Sequence, residues 1–326
     1  MEYIFHAVSV RWTCVDNIRW AHQIWWAIVI FGNIEGFLFS LHHPRTTETE
    51  LQDTFALIAV SNLTATIIAR NELLLLALYV SCNYAPVFKF HFHRMLHSIG
   101  GLHVGAGVGT FVWTLVYMAH MFRRAAFGGT WQEWVLFSSV AMLALCLLLM
   151  IVTAIRPIRE RFHNLWEYTH RFVGWFSLCI LVLHVTIRAA RQSNPEVFFN
   201  TPLPYLILAC LISVFYVWFT VRKVSVRTVA GNGVALLKFQ GRPSLRDGTF
   251  VRISTDFLQW HAFSIAMTDW DGREFSVIVA DAGDWTKSLI DAVNAGLGPE
   301  KLWARGVNPP GFMTMHRALS SSRLLI

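Results

Sequence analysis

Six apolar runs of about 20 residues dominate this sequence, and each is long enough to cross the roughly 30 Å hydrocarbon core of a membrane as a helix. They lie near Ala21–Leu41, Thr54–Leu78, Ser98–Met121, Trp134–Ile155, Tyr168–Ile187 and Pro204–Val221. With 55% apolar and only 14% charged residues, the 326-residue chain carries more apolar surface than one soluble core needs. The sequence therefore predicts a multi-pass, mainly α-helical membrane protein.

Lysine and arginine residues indicate the orientation of the spans, because basic residues are retained on the cytosolic side of a membrane. With the N-terminus in the cytosol, the inner segments hold Arg11, Arg19, Arg70, Lys89, Arg94, Arg156, Arg159, Arg161, Arg222, Lys223 and Arg227, and the outer loops hold Arg45, Arg123, Arg124, Arg188 and Arg191. This bias predicts that both termini are cytosolic, in a plasma membrane or an endomembrane. The net charge of +7 fits contact with anionic membrane lipid, and we find no sequence module for nucleic acid.

Charged residues inside the apolar runs are candidates for a break or a function. The second run is interrupted by Arg70-Asn71-Glu72, which predicts a helix, a break and a shorter apolar helix, since charge at depth must face protein, water or the interface. In the first run, Glu35 is a candidate for proton transfer or substrate binding. The alternative is a structural pairing with an arginine of a neighbouring helix.

Histidines in the spans suggest haem. His170 and His184 are 14 residues apart in one apolar segment, and 14 helical steps return to within roughly 40° of the same face about 21 Å further on. Imidazole is a good iron ligand and a poor lipid-facing group, although a single buried histidine more often serves packing. We expect His97 to pair with His170, with His103 as the rival, because six steps turn a helix by about 240° and both cannot face one iron.

The sequence pattern changes after Val221. Short β-rich runs, separated by glycine-containing turns, predict a small antiparallel β domain, and residues 287–295 follow as a helix with Gly296 near its end. The runs are Val224–Val229, Val234–Phe239, Thr249–Ser254, Phe263–Met267 and Glu274–Ala280. The chain is thus predicted to consist of a cytosolic segment (1–20), a six-helix transmembrane domain (21–221), a β domain (222–312) and a tail (313–326).

Three segments of the β domain resemble the FAD-binding barrel of the ferric reductase and NADPH oxidase superfamily: Gly248–Ile253, His261–Ala266 and Gly283–Thr286. Upstream, Tyr168–Phe172 with His184 resembles the haem-binding helix of that superfamily, and His97–Gly101 with His103 resembles its partner helix. The chain is also similar to the fungal ferric-reductase-like integral membrane proteins of the TmpA type, which show Arg70-Asn71-Glu72 and the double glycine. The resemblance covers roughly Asn62 to Gly311.

The resemblance implies a six-helix transmembrane bundle that holds b-type haem between histidines, followed by an antiparallel barrel that binds FAD on the inner side. It implies that Phe263 and Ser264 lie against the isoalloxazine, that His261 supports the ribityl chain, and that Arg305 with Gly306 meets the pyrophosphate. The other explanation of the segment His261–Ser264 is an ordinary strand.

The chain departs from the family pattern at three points. The positions 14 residues after His97 and His103 hold Phe111 and Tyr117, so one haem is expected and a second depends on a partner for His184. Ala262 replaces the proline of the flavin motif, which removes a constraint on φ. The sequence holds no Gly-x-Gly-x-x-Gly nicotinamide fingerprint, so a separate NADPH-dependent reductase or a missing nicotinamide domain would bring the electrons.

Two classes of function follow from these observations. The first is a membrane flavocytochrome-like oxidoreductase, which passes electrons from a cytosolic flavin through haem to ferric iron, dioxygen or a small metabolite. The second is a redox-inactive membrane protein of a biosynthetic pathway, which retains the fold as a non-redox enzyme or an interaction subunit.

Overall fold

The chain forms two compact units in a computed structural model that describes residues 20–38, 42, 48–82, 89–127, 129–191, 195–240, 249–256, 259–269 and 273–306. The helical unit comprises residues 22–69 and 99–214, and the barrel unit comprises residues 1–21, 70–98 and 215–326. The predicted tail and all but the last residue of the predicted N-terminal segment lie outside the described residues.

Twelve α-helices are found in the described part of the chain. In order they are α1 (20–38), α2 (Glu48–Ile68), α3 (Glu72–Cys82), α4 (Lys89–His97), α5 (Gly100–Ala126), α6 (Trp131–Ala154), α7 (Arg156–Arg161), α8 (His163–Tyr168), α9 (Gly174–Ala190), α10 (Pro195–Phe199), α11 (Leu203–Phe219) and α12 (Asp284–Asn294). A π-helical segment, Thr169–Val173, joins α8 to α9.

Within the described residues, four helical stretches are long and apolar enough to cross a membrane: Glu50–Ile68, Gly100–Ala126, Trp131–Ala154 and His163–Ala190. They coincide with the second to fifth predicted runs and are consistent with a membrane protein. The prediction of a mainly helical chain is confirmed. The predicted count of six spans is not confirmed, because α1 is not among the four and α11 has only 17 residues. Six spans remain a prediction.

The predicted break in the second run is confirmed. Helix α2 ends at Ile68, and α3 begins at Glu72. The side chain of Asn71 accepts a hydrogen bond from the backbone N–H of Leu74 at 2.9 Å, so Asn71 caps the start of α3.

Glycines let α5 pack closely against its neighbours. A Cβ at Gly101 would lie 2.6 Å from the carbonyl oxygen of His22 in α1, and one at Gly109 would lie 2.5 Å from Oδ1 of Asn62 in α2. Both distances are shorter than van der Waals contact. These two glycines therefore serve close helix packing.

The β domain is a closed barrel of six antiparallel strands in the order β1-β2-β5-β4-β3-β6. The strands are β1 (Val221–Gly231), β2 (Val234–Gln240), β3 (Phe250–Ser254), β4 (His261–Thr268), β5 (Glu274–Ala280) and β6 (Lys301–Arg305). The first five coincide with the predicted runs. Strand β6 was missed, although it closes the barrel by pairing with both β1 and β3.

Alternating apolar residues of the strands fill the barrel interior. Leu237, Phe239, Val251, Ile253 and Val277 are almost completely buried, and Leu289, Ile290 and Val293 of α12 add to the same core. Helix α12 ends two residues before Gly296, whose φ of 73° is favourable for glycine, so the predicted helix and its end are confirmed.

Candidate functional site

His184 lies deep in the helical unit, with its side chain buried between α5, α6 and α9. The hydroxyl of Ser139 donates to the carbonyl of Leu136 at 2.7 Å, so its oxygen is an acceptor for the Nδ1–H of His184 at 2.8 Å. Nε2 is then the unprotonated nitrogen and accepts the Tyr117 hydroxyl at 3.0 Å. Both ring nitrogens of His184 are therefore engaged by hydroxyl groups.

The hydrogen-bonded chain continues from Tyr117 toward one end of the helices. Nη1 of Arg188 lies 3.4 Å from the Tyr117 hydroxyl, and the same guanidinium forms an ion pair with Asp53. With both nitrogens occupied by hydroxyls, His184 in this arrangement does not fit the role of an iron ligand.

Tyr117 occupies the position 14 residues after His103, where the family pattern has a histidine. Its ring meets His184 edge-on, with the ring centroids 5.7 Å apart. The residue at this position is therefore a direct partner of His184. His120, also on α5, contacts the ring of Phe55 at a centroid distance of 6.1 Å.

His170 lies within the π-helical segment that interrupts the fourth membrane-spanning stretch. It is half-buried, and its ring contacts Trp166 at a centroid distance of 5.6 Å. A single π-helical turn inside a long helix is rare and occurs frequently at functional sites, because it changes the direction of the side chains that it carries. The π-helical geometry therefore favours a functional role for His170 rather than a packing role alone.

The two candidate partners of His170 differ in their surroundings. His103 Nδ1 lies 2.9 Å from the carbonyl of Thr66, the type of contact that orients Nε2 of metal-bound histidines. His97 ends α4 in the barrel unit, whereas His103 and His170 both belong to the helical unit. Burial lowers the pKa of His97, which favours the neutral form that binds metals. Both pairings stay predictions.

Two further observations concern metal and acid–base candidates. Within the described residues, no group of three or more His, Cys, Asp or Glu side chains could hold a metal ion. This finding does not bear on haem, whose iron needs only two axial ligands from the protein.

Glu35 is exposed near the end of α1, so its role as a catalytic group stays a prediction.

Strand β4 divides the predicted flavin residues between two faces. His261 and Phe263 pair with Ile253 and Val251, which are buried in the barrel core, and the ring of His261 stacks on Trp285 at 4.3 Å. Ser264 is exposed on the opposite face. Phe263 and Ser264 therefore cannot both present their side chains to the same side of a ligand.

The face of β4 that carries Ser264 continues across β3 onto β6, and we call it the outer face. Arg252 lies opposite Ala262 in the pairing of β3 with β4, and Arg305 is the last residue of β6. Both guanidinium groups bind one buried carboxylate, Glu72 of α3, with a distance of 3.5 Å for Arg305. Two arginines and one glutamate leave a net positive charge on the outer face.

Aromatic rings and backbone complete the outer face. The Arg305 guanidinium lies 5.1 Å from the centroid of Trp260, and Arg252 lies 5.4 Å from the centroid of Phe250. The backbone N–H of Gly306 donates to Thr220 at 2.9 Å, which fixes the strand end that carries Arg305. Cationic groups beside aromatic planes suit a ligand with a phosphate and a flat ring system.

Sequence reasoning missed Arg252 and Glu72 as members of this site, and Tyr117 and Ser139 as partners of His184. A signal was present for Glu72, because a carboxylate inside an apolar run needs a cationic partner. For Tyr117 the signal was its spacing from His103. Ser139 had none, because a serine in a span usually bonds to its own helix.

No family model matches the chain. It is similar to two curated proteins from Coprinopsis cinerea. Adenylate-forming reductase 06235 is 29% identical over 270 residues, and adenylate-forming reductase 03009 is 28% identical over 269 residues. Each match covers 79% of this chain and 26% of the relative, so the chain spans about a quarter of the length of these proteins.

Proposed function

We propose that this chain is a membrane oxidoreductase component that binds a flavin on the outer face of its barrel. The observation that carries the proposal is the convergence of Arg252, Arg305 and Ser264 on one face of a closed antiparallel barrel. The resemblance to the FAD-binding barrel of ferric reductases supports it, and so does the word reductase in the names of both relatives. Because each match covers 79% of the chain, it includes most of the helices as well.

The residues of the outer face have distinct tasks in this proposal. Arg252 and Arg305 bind the diphosphate of FAD through charge-assisted hydrogen bonds, and Glu72 keeps both guanidinium groups oriented before the ligand arrives. The Ser264 hydroxyl hydrogen-bonds the flavin ring, and Ala262 leaves space beside it. A bound flavin supplies one- or two-electron transfer. His261 and Phe263 support the site from behind through Trp285 and the barrel core.

We propose one haem site at most, between His170 and a histidine of the preceding helical region. His103 is the partner that we favour, because its Nδ1 binds a backbone carbonyl and because it shares a unit with His170. Haem in such a site supplies one-electron transfer. The acceptor is ferric iron, dioxygen or a small metabolite, and the donor is a separate NADPH-dependent reductase or a further domain.

Titration of the purified chain with FAD tests the flavin proposal. Arg305→Ala and Arg252→Ala each remove a charge-assisted hydrogen bond, and we expect each to weaken binding by roughly 10- to 100-fold. The matched control is Arg227→Ala, which removes an exposed arginine of β1 that pairs with Glu274. Quenching of flavin fluorescence measures the affinity. Equal affinity in all four proteins would refute the outer-face site.

A second candidate function is a membrane protein that keeps this fold without an electron chain. The network of Tyr117, His184 and Ser139 favours it, because hydroxyl groups engage both ring nitrogens of His184, a residue that the resemblance implies as a haem ligand. The absorption spectrum of the chain purified from haem-supplied cells separates the two functions. The oxidoreductase requires a Soret band that shifts on reduction, survives His184→Ala and is lost in His170→Ala. Absence of the band would favour the second function.

A further inference from the structure

We propose that the helical unit contains a phosphate-binding site at the end of α5, α6 and α9, which is independent of the proposed flavin site. An open cavity of about 480 Å³ lies there, lined by Arg123, Arg124, Phe127, Gly129, Thr130, Glu133 and Arg191. A water molecule in the liquid occupies about 30 Å³. The cavity therefore has room for a phosphate group together with its ordered water.

The charge of the lining residues identifies the class of ligand. Three arginines surround one glutamate, which leaves a net charge of +2 in the cavity wall. A phosphate monoester carries close to two negative charges and offers several acceptor oxygens, which match guanidinium groups in bidentate geometry.

Glu133 orients two of the three arginines. Its carboxylate is buried and lies 3.4 Å from Arg124 Nη2 and 3.0 Å from Arg191 Nη2. Arg124 also donates to Gln52 at 2.9 Å. A guanidinium has five N–H donors, and these contacts engage only some of them, so Arg124 and Arg191 retain donors for a ligand in the cavity that they line.

The local backbone also favours an anion. Thr130 is the N-cap of α6, and its side chain bonds to Gln132 at 2.8 Å rather than capping the helix. The first backbone N–H groups of this 24-residue helix carry the positive end of its dipole. Gly129 brings the loop against the end of α5, since a Cβ there would lie 2.7 Å from Cα of Ala125.

The position of the cavity allows two sources for the phosphate. Phe127 and Trp131 beside it are highly exposed, as expected of residues that lie among lipid headgroups. A phospholipid headgroup can reach the cavity from the membrane, and a soluble phosphate ester can reach it from the aqueous side. Both present the same chemical group to the same arginines.

Binding of inorganic phosphate by the full chain in neutral detergent tests the soluble source. Unfolding followed by tryptophan fluorescence should shift to higher temperature with phosphate, but not with chloride of equal ionic strength. Arg191→Gln should weaken the apparent affinity by about tenfold. Arg123→Gln should weaken it as well and leaves both ion pairs of Glu133 in place, so it keeps the test valid if Arg191→Gln does not fold.

The lipid source is tested by reconstitution into nanodiscs of phosphatidylcholine with or without phosphatidic acid. Stabilisation by phosphatidic acid that both variants abolish would assign the site to a lipid headgroup. The control is Arg156→Gln, which removes an arginine of α7 that is 80% exposed and pairs with Glu160. If neither phosphate nor phosphatidic acid stabilises the chain, or if the control weakens binding as much as the variants do, the proposal is wrong.

Discussion

The chemistry of His184 is determined by two hydroxyl groups, one on each ring nitrogen. Tyr117 and Ser139 come from α5 and α6, so the imidazole links three helices through directional bonds. A neutral histidine whose nitrogens are both satisfied stabilises a buried polar cluster, whereas an unsatisfied one would destabilise it. This contact gives His184 a structural role that spacing along the sequence does not reveal.

Replacement of Ser139 tests that role. Ser139→Ala removes the hydroxyl that accepts the Nδ1–H of His184, and we expect a loss of about 1–3 kcal/mol in the free energy of unfolding. Ser177→Ala is the matched control, because the Ser177 hydroxyl bonds to Val173 of the same helical stretch at 2.7 Å. Denaturant titration of the chain in detergent measures both. Equal losses in the two variants would contradict the proposed network.

Residue partners of this kind were the least predictable part of the chain. The 14-residue spacing of His170 and His184 placed both on one side of a helix, but their partners depend on how α5 and α6 are rotated. A rotation of one residue, about 100°, exchanges one neighbour for another. The spacing from His103 to Tyr117 was visible in the sequence, and only the structure shows that Tyr117 forms a hydrogen bond with His184.

Helices and strands were more predictable, because they depend on local patterns. The charged interruption at Arg70-Asn71-Glu72 marked the break between α2 and α3, and alternating residues marked β1 to β5. Strand β6 was missed, since Lys301–Arg305 is short and its pattern alone does not distinguish a strand from a phosphate-binding loop. Its pairing with β1 and β3 is a long-range property of the barrel.

The cap at Asn71 gives a prediction for an element. Asn71→Ala removes the side-chain oxygen that accepts the N–H of Leu74, and we expect a loss of about 1 kcal/mol in the free energy of unfolding. Asn71→Asp retains an acceptor and a favourable charge at the helix start, so it should stay close to the wild-type value. Thermal unfolding of the purified chain distinguishes the two. A stable alanine variant beside an unstable aspartate variant would argue against capping.

At the scale of the whole molecule, the division of the chain into a helical unit and a barrel unit was only partly predictable. Helices α3 and α4 group with the barrel rather than with the helices that flank them in sequence. The ion pairs of Glu72 with Arg252 and Arg305 are one physical reason, since a buried carboxylate requires its cationic partners. Because Glu72 and Arg252 are 180 positions apart in the sequence, no local sequence pattern predicts their ion pair.

The basic residues predict which side of the membrane each end of the molecule faces. Trp131 starts α6 and is 73% exposed, and Lys287 is exposed on α12 of the barrel. In a cysteine-free background, an impermeant maleimide added to intact cells should label Trp131→Cys, while Lys287→Cys should react only after permeabilisation. The reverse pattern would invert the predicted topology.

The π-helical segment at Thr169–Val173 also affects how the longest span tolerates changes of length. Such a turn accommodates one more residue than an α-helical turn, so the flanking stretches keep their facing although the chain between them is longer. Loss of one residue within this turn would restore regular α-helix and leave His184 beside Tyr117. Loss of one residue between Gly174 and His184 would rotate the segments relative to each other by about 100°. The π-helical turn, which contains His170, is therefore a point where the span tolerates the loss of one residue without rotation of its flanking segments.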